Sequence, residues 1–163
     1  MSFSQTRDDD FKSLLKETNS LSDSETELPE KRALITGGSG FIGTNLINYC
    51  LSKGLKCLNI DIKKPQDKSQ DSFWLKCDVR NESDLRKVVL EFSPDYVFHL
   101  AAVTDFDGKT LEDYSSNTDG TKNVKDVLKL LKHISMVVFA SSQGVCNGDD
   151  HNDESFYNPV TLY

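Results

Sequence analysis

Residues 36–43 read TGGSGFIG, with Gly37, Gly40 and Gly43 three apart, set between an apolar run, RALIT (32–36), and an amphipathic one, FIGTNLINYCLSKG (41–54). The first run predicts a buried strand. The second places Ile42, Leu46, Ile47, Cys50 and Leu51 on one face of a helix, and Gly54 suits its C-terminal end. LKCLNID (55–61) then reads as another strand, so the whole is a strand–helix–strand unit of the length a parallel crossover needs. A loop at the strand-to-helix turn that binds a pyrophosphate must turn tightly, bring its backbone against the phosphates and pack helix on strand. A Cβ obstructs each of these. The helix N-terminus adds free N–H groups and a positive dipole end.

Asp61 ends the second strand, 18 residues past Gly43. That is close to the interval expected for a carboxylate that accepts a ribose 2′-hydroxyl and repels a 2′-phosphate, which favours NAD over NADP. Lys63 and Lys64 follow at once and can soften the preference. The plainer alternatives are a glycine turn without a ligand and a solvated strand-end aspartate.

The alternation continues. SFWLKCDV (72–79) predicts a third strand and NESDLRKVVLEF (81–92) a helix, with Asn81 as N-cap and Leu85, Val88, Val89 and Phe92 as its apolar face. DYVFHLAA (95–102) predicts a fourth strand. NTDGTKNVKDVLKLLK (117–132) predicts a helix burying Val124, Val127, Leu128 and Leu131. SMVVFASS (135–142) predicts a fifth strand. Apolar strands alternating with amphipathic helices imply an α/β fold, a Rossmann-like doubly wound parallel sheet of about five strands covered on both faces.

The bulk properties exclude several classes. The net charge is −7, and residues 1–30 hold Asp8, Asp9, Asp10, Glu17, Asp23, Glu25, Glu27 and Glu30 against Arg7, Lys12 and Lys16. That stretch carries −5 and leaves −2 for the remainder, with no basic stripe for a nucleic acid. Its composition predicts a disordered acidic tail over 1–30, in which Phe11, Leu14 and Leu15 at helical spacing could dock a protein partner. The four cysteines form no C-x-x-C pair and the histidines no zinc spacing, so no metal is expected. No apolar run approaches the ~18 residues of a membrane span, and no signal-peptide core opens the chain. A cytoplasmic, reducing setting is expected.

From about Arg32 to Tyr163 the chain resembles the extended short-chain dehydrogenase/reductases, the NAD-dependent epimerase/dehydratase family. The resemblance rests on five segments in the family's order: GGSGFIG, CDVRN, HLAA, NTDGT and SSQGVCN. By that likeness Asp78 bonds the adenine amino group and Val79 flanks the ring. Ala101 and Ala102 leave room for the cofactor, and Asn117 stabilises the core beside the site. The cofactor-contacting set implied is Gly37, Gly40, Phe41, Ile42, Gly43, Asp61, Asp78, Val79, Leu100, Ala101, Ala102 and Asn117. Anchored on Val145, the resemblance makes Ser142 the active-site hydroxyl. Anchored on Gly148, it puts Gln143 there instead. The Val145 anchor is preferred, although Cys146 and Asn147 stand where the family usually has Tyr and Gly. His99 lies at a strand end behind the cofactor and is expected to be structural.

NPVTLY (158–163) is similar to the turn before the family's catalytic tyrosine, which makes Tyr163 the proton-exchanging residue. The family's Y-x-x-x-K lysine has no counterpart here, because the sequence stops at Tyr163. The reading is therefore an NAD-binding Rossmann domain over 31–163, truncated and lacking a substrate domain. It would come from an enzyme acting on a nucleotide sugar by transient hydride transfer, and be inactive alone. The alternatives are a stand-alone NAD-binding or interaction module, and a fragment of a hydroxysteroid-type or carbonyl-reducing dehydrogenase. The family often forms oligomers.

Overall fold

The structure is a computed structural model that describes residues 30–145. The acidic segment before residue 30, together with Cys146 and Tyr163, lies outside the described residues. Five strands form one sheet in the order β3-β2-β1-β4-β5. They are β1 (Arg32–Thr36), β2 (Lys56–Asp61), β3 (Trp74–Lys76), β4 (Tyr96–His99) and β5 (Met136–Phe139). Every pairing is parallel. Helix α1 (Phe41–Ser52) joins β1 to β2, α2 (Glu82–Phe92) joins β3 to β4, and α3 (Thr121–Leu128) precedes β5.

Alternation along the central strands sets the two layers. Ala33 and Ile35 of β1 and Cys57 of β2 pack with Ile47 and Cys50 of α1. Leu34, Leu58, Ile60 and Val97 point the other way, against Leu85, Val89, Val124 and Val127 of α2 and α3. The reversal of strand order at β1 puts β2 and β4 on its two sides, the switch point at which sheets of this type form a crevice outside the C-terminal ends of the strands.

The helix ends follow their local chemistry. Asn81 caps α2, its side-chain oxygen accepting the Asp84 N–H at 3.2 Å. Gly54, with φ +74°, closes the turn after α1.

Several elements are shorter than the sequence suggests. The third strand begins only at Trp74, because Lys68–Phe73 coil into a 3₁₀ turn capped by Asp67. The fourth strand ends at His99, leaving Leu100–Ala102 as the exit loop. The helix expected over 117–132 opens as a π turn (Ser116–Gly120), continues as α3 and ends at Leu128. There, Leu130 and Leu131 switch to i→i−3 hydrogen bonds. Ile42 is not part of the buried stripe of α1. It is 64% exposed, in the first turn of the helix, and the buried residues begin at Gly43. The expectation of a sheet covered on both faces also fails at β5, where all four residues remain exposed.

Candidate functional site

The glycine loop lies at the crevice between β1 and α1, and its glycines do different work. Gly37 takes the left-handed conformation (φ +69°), and a Cβ there would come within 2.7 Å of the Ala101 backbone nitrogen. A Cβ on Gly43 would meet the Gly38 Cα at 2.5 Å and the Gly37 carbonyl oxygen at 2.6 Å. These two glycines therefore serve the packing of loop, strand exit and helix. Gly40 is different. Its φ is −78°, and a Cβ would meet only the Gly37 oxygen, at 3.3 Å. Among the described residues no other atom outside its own helix lies within 4 Å of that Cβ, which suits close approach of a ligand to the backbone. Helix α1 carries no side-chain cap and no acidic residue in its first turn, so its dipole end is left to an external anion. Phe41 and Ile42 flank this end and are exposed.

Gly38 was not singled out in the sequence. A Cβ on it would collide with the side chain of buried Asn59. Asn59 Nδ2 donates to Ser39 Oγ at 3.1 Å, while its Oδ1 has no hydrogen-bond partner among the described residues. Only the neighbouring glycine in the sequence hints at this packing.

Asp61 stands beside the loop at the end of β2. One carboxylate oxygen accepts the Ser39 N–H at 3.1 Å, and the other accepts the Lys63 N–H at 2.9 Å. Ser39 Oγ donates to the Lys63 carbonyl at 2.8 Å, closing the loop onto the strand end. The carboxylate is held rigidly and keeps acceptor capacity on each oxygen.

At the end of β3, Val79 is buried, and a Cβ on Gly120 would come within 2.6 Å of its methyl. The glycine of NTDGT is thus explained by packing against the CDV segment. Asp78 is half-buried and clamped by Arg80. Arg80 Nε lies 3.1 Å from both carboxylate oxygens, Nη2 lies 2.6 Å from Oδ2, and the Arg80 N–H donates to Oδ1 at 2.9 Å. Arg80 Nη1 also reaches Ser115 Oγ at 3.4 Å. The guanidinium's hydrogen bonds hold the Asp78 carboxyl below the usual carboxylate range. Arg80 went unremarked in the sequence, although a cation two residues past Asp78 signals such a clamp.

The β4 exit is organised by Thr36. Its Oγ1 accepts the N–H groups of Leu100 and Ala101, each at 3.2 Å, and so points its proton at His99 Nδ1, 2.7 Å away. That assigns the neutral tautomer with Nε2–H, which donates to Thr121 Oγ1 at 2.9 Å. Burial pushes the His99 pKa down to about 4, and its ring meets Phe139 edge-on at 5.4 Å. His99 is a neutral structural link, as expected from its place behind the crevice. Leu100 and Ala101 are half-buried and Ala102 is exposed. Asn117 pins the loop beyond them, accepting the Val103 N–H at 2.8 Å and donating to the Val103 carbonyl at 2.9 Å.

Ser142 follows β5 at the same end of the sheet. It is half-buried, and its Oγ accepts the Gly144 N–H at 3.1 Å. Among the described residues no cluster of His, Cys, Asp or Glu could hold a metal ion. No described helix is long and apolar enough to cross a membrane.

A crevice of this kind, with a glycine loop on one side of the strand reversal and a fixed carboxylate at the end of β2, defines a nucleotide-binding α/β protein. The model of the NAD dependent epimerase/dehydratase family matches residues 33–163, and the chain belongs to that family. It is 28% identical over 126 residues to CDP-paratose 2-epimerase of Salmonella typhi, covering 70% of this chain and 37% of that protein. It is 31% identical over 133 residues to 3-beta-hydroxysteroid dehydrogenase of Mycolicibacterium neoaurum, covering 73% and 36%. The chain therefore spans little more than a third of these curated relatives. Among solved structures, the Bordetella bronchiseptica enzyme WbmG in complex with NAD superposes with a TM-score of 0.71 at 23% identity, over 86% of this chain and 47% of that one. That likeness is one of fold.

Proposed function

We propose that residues 31–163 are the cofactor-binding half of an NAD-dependent epimerase or dehydratase acting on a nucleotide sugar. The observation that carries this reading is the uncrowded Gly40 in a loop whose Ser39 N–H, with that of Lys63, fastens the Asp61 carboxylate. The N-terminal turn of α1, with Gly37, Gly40, Phe41, Ile42 and Gly43, would hold the pyrophosphate. Asp61 would accept the adenosine ribose hydroxyls and select NAD over NADP. Asp78 and Val79 would border the adenine, with Arg80 holding the Asp78 carboxylate in place. Leu100, Ala101 and Ala102 would line the passage to the nicotinamide, kept in register by Asn117.

The dinucleotide, when bound, supplies the hydride acceptor and donor. Ser142 would hydrogen-bond the reacting oxygen of the sugar, and Tyr163 would exchange a proton with the same hydroxyl.

The identity to a hydroxysteroid dehydrogenase supports a second reading, in which the same half serves a steroid or other carbonyl substrate. The cofactor assignment is common to both. Asp61→Ala tests it: NAD affinity should fall more than NADP affinity, because only the former gains from the carboxylate. Equal losses would remove Asp61 from the role.

A further inference from the structure

We propose that Trp74 is a specificity-determining positioning residue. It holds Lys64 on the face of its indole, restraining that ammonium from a phosphate beside Asp61, and so keeps the site selective for a dinucleotide with a free 2′-hydroxyl over one bearing a 2′-phosphate. The inference rests on the reading of Asp61 given above.

Asp61 is followed by two lysines within three residues, an arrangement that on charge alone would cancel its repulsion of a 2′-phosphate. The two lysines meet different partners. Lys63 is fixed through its backbone, its N–H on Asp61 Oδ1 at 2.9 Å and its carbonyl on Ser39 Oγ at 2.8 Å. That attachment is independent of Trp74. Lys64 is held differently, with its Nζ over the Trp74 ring, 5.5 Å from the centroid.

The indole is itself fastened to the site. Trp74 opens β3 in register with Asn59, the residue beneath the glycine loop, and its Nε1–H donates to the Asp61 carbonyl at 3.2 Å. One side chain thus braces the backbone that presents the carboxylate and gives the second lysine a face to rest on. A lysine ammonium is a mobile point charge on a flexible stem. Without the ring it is free to swing toward a phosphate beside Asp61.

The test measures NAD and NADP dissociation constants by calorimetry on the full chain, for the parent, Trp74→Leu, Trp74→Phe, Lys64→Gln and the Trp74→Leu/Lys64→Gln double variant. Trp74→Leu should tighten NADP relative to NAD by about two- to fivefold, the worth of a surface cation–π contact. Lys64→Gln alone should leave the ratio near the parent's, and in the Trp74→Leu background it should abolish the gain. Trp74→Phe, which keeps a ring for Lys64 but loses the N–H, should stay near the parent ratio and guards against a fold defect in Trp74→Leu. An unchanged ratio in Trp74→Leu, a gain that survives in the double variant, or an equal gain in Trp74→Phe overturns the role of Trp74. If the parent still binds NAD in an Asp61-dependent way, the underlying reading stands. A folded parent that binds neither dinucleotide overturns both.

Discussion

Alanine substitutions at Gly37, Gly40 and Gly43 should separate folding from binding within one loop. At Gly37 the left-handed backbone costs an L-residue about 1–2 kcal/mol. The new Cβ also lies 2.7–2.8 Å from the backbone of Leu100 and Ala101, which cannot yield as a side chain can. Overpacking of this kind adds about 1–3 kcal/mol. A total of about 2–5 kcal/mol is large against the ~5–15 kcal/mol of a typical domain. Gly43→Ala should also destabilise, somewhat less, because alanine recovers about 1 kcal/mol of helix propensity. Gly40→Ala should be nearly silent in stability, within about 0.5 kcal/mol. Its extended backbone suits alanine, and the lost N-cap preference is offset by a stiffer unfolded chain. The same Cβ, however, projects into the cradle, so NAD affinity should fall by at least about tenfold, or 1.4 kcal/mol. Urea unfolding followed by circular dichroism measures the first quantity and calorimetric titration the second. A Gly40→Ala variant as destabilised as Gly37→Ala, or one that binds NAD as the parent does, would refute this division of labour.

Three further outcomes follow from the surroundings of the crevice. His99 is neutral when folded, with a pKa of about 4 against about 6.5 unfolded, so the unfolded chain binds the extra proton between those values. Its contribution is complete above pH 6.5 and declines as pH falls toward 4, by up to about 3 kcal/mol, and the urea midpoint of His99→Gln should lack that component of the slope. Arg80→Ala should cost about 1 kcal/mol or less, since both side chains of the pair are partly exposed, at 49% and 32%. It should also return the Asp78 carboxyl upward toward its ordinary pKa, read by NMR titration; an unmoved Asp78 would mean that the clamp does not act on it. Asn117→Ala removes both hydrogen bonds to Val103 and should destabilise by about 1–3 kcal/mol, whereas a neutral change would show that the loop is held by other contacts.

The sequence carried the order of the elements, because period-two and helical patterns alternate cleanly and Gly37, Gly40 and Gly43 sit where a strand must turn into a helix. It carried less about where elements end. Trp74 and Leu128 mark boundaries set by hydrogen bonds, namely the Asp67 cap and the tightening turn after α3, which hydrophobic periodicity does not register. The position of Asp61 was legible from its interval to Gly43. The backbone N–H groups that hold its carboxylate were not, since main-chain donors leave no mark in residue types. Gly38 and Gly120 were missed for a related reason. Each answers to one partner far away in the chain, Asn59 and Val79 respectively, and a lone contact has no period. The open faces of β5 were also unforeseen. Four apolar residues in a row read as buried, but burial is a property of what packs on them rather than of the strand itself.

The account stands most directly on one measurement: calorimetric titration of NAD into the folded 163-residue chain, beside its Asp61→Ala variant. Saturable 1:1 binding by the parent, weakened in the variant while circular dichroism stays unchanged, is the expected result. A parent that is folded by the same criterion yet takes up no NAD at millimolar concentration would contradict the claim that this loop and carboxylate form a cofactor site.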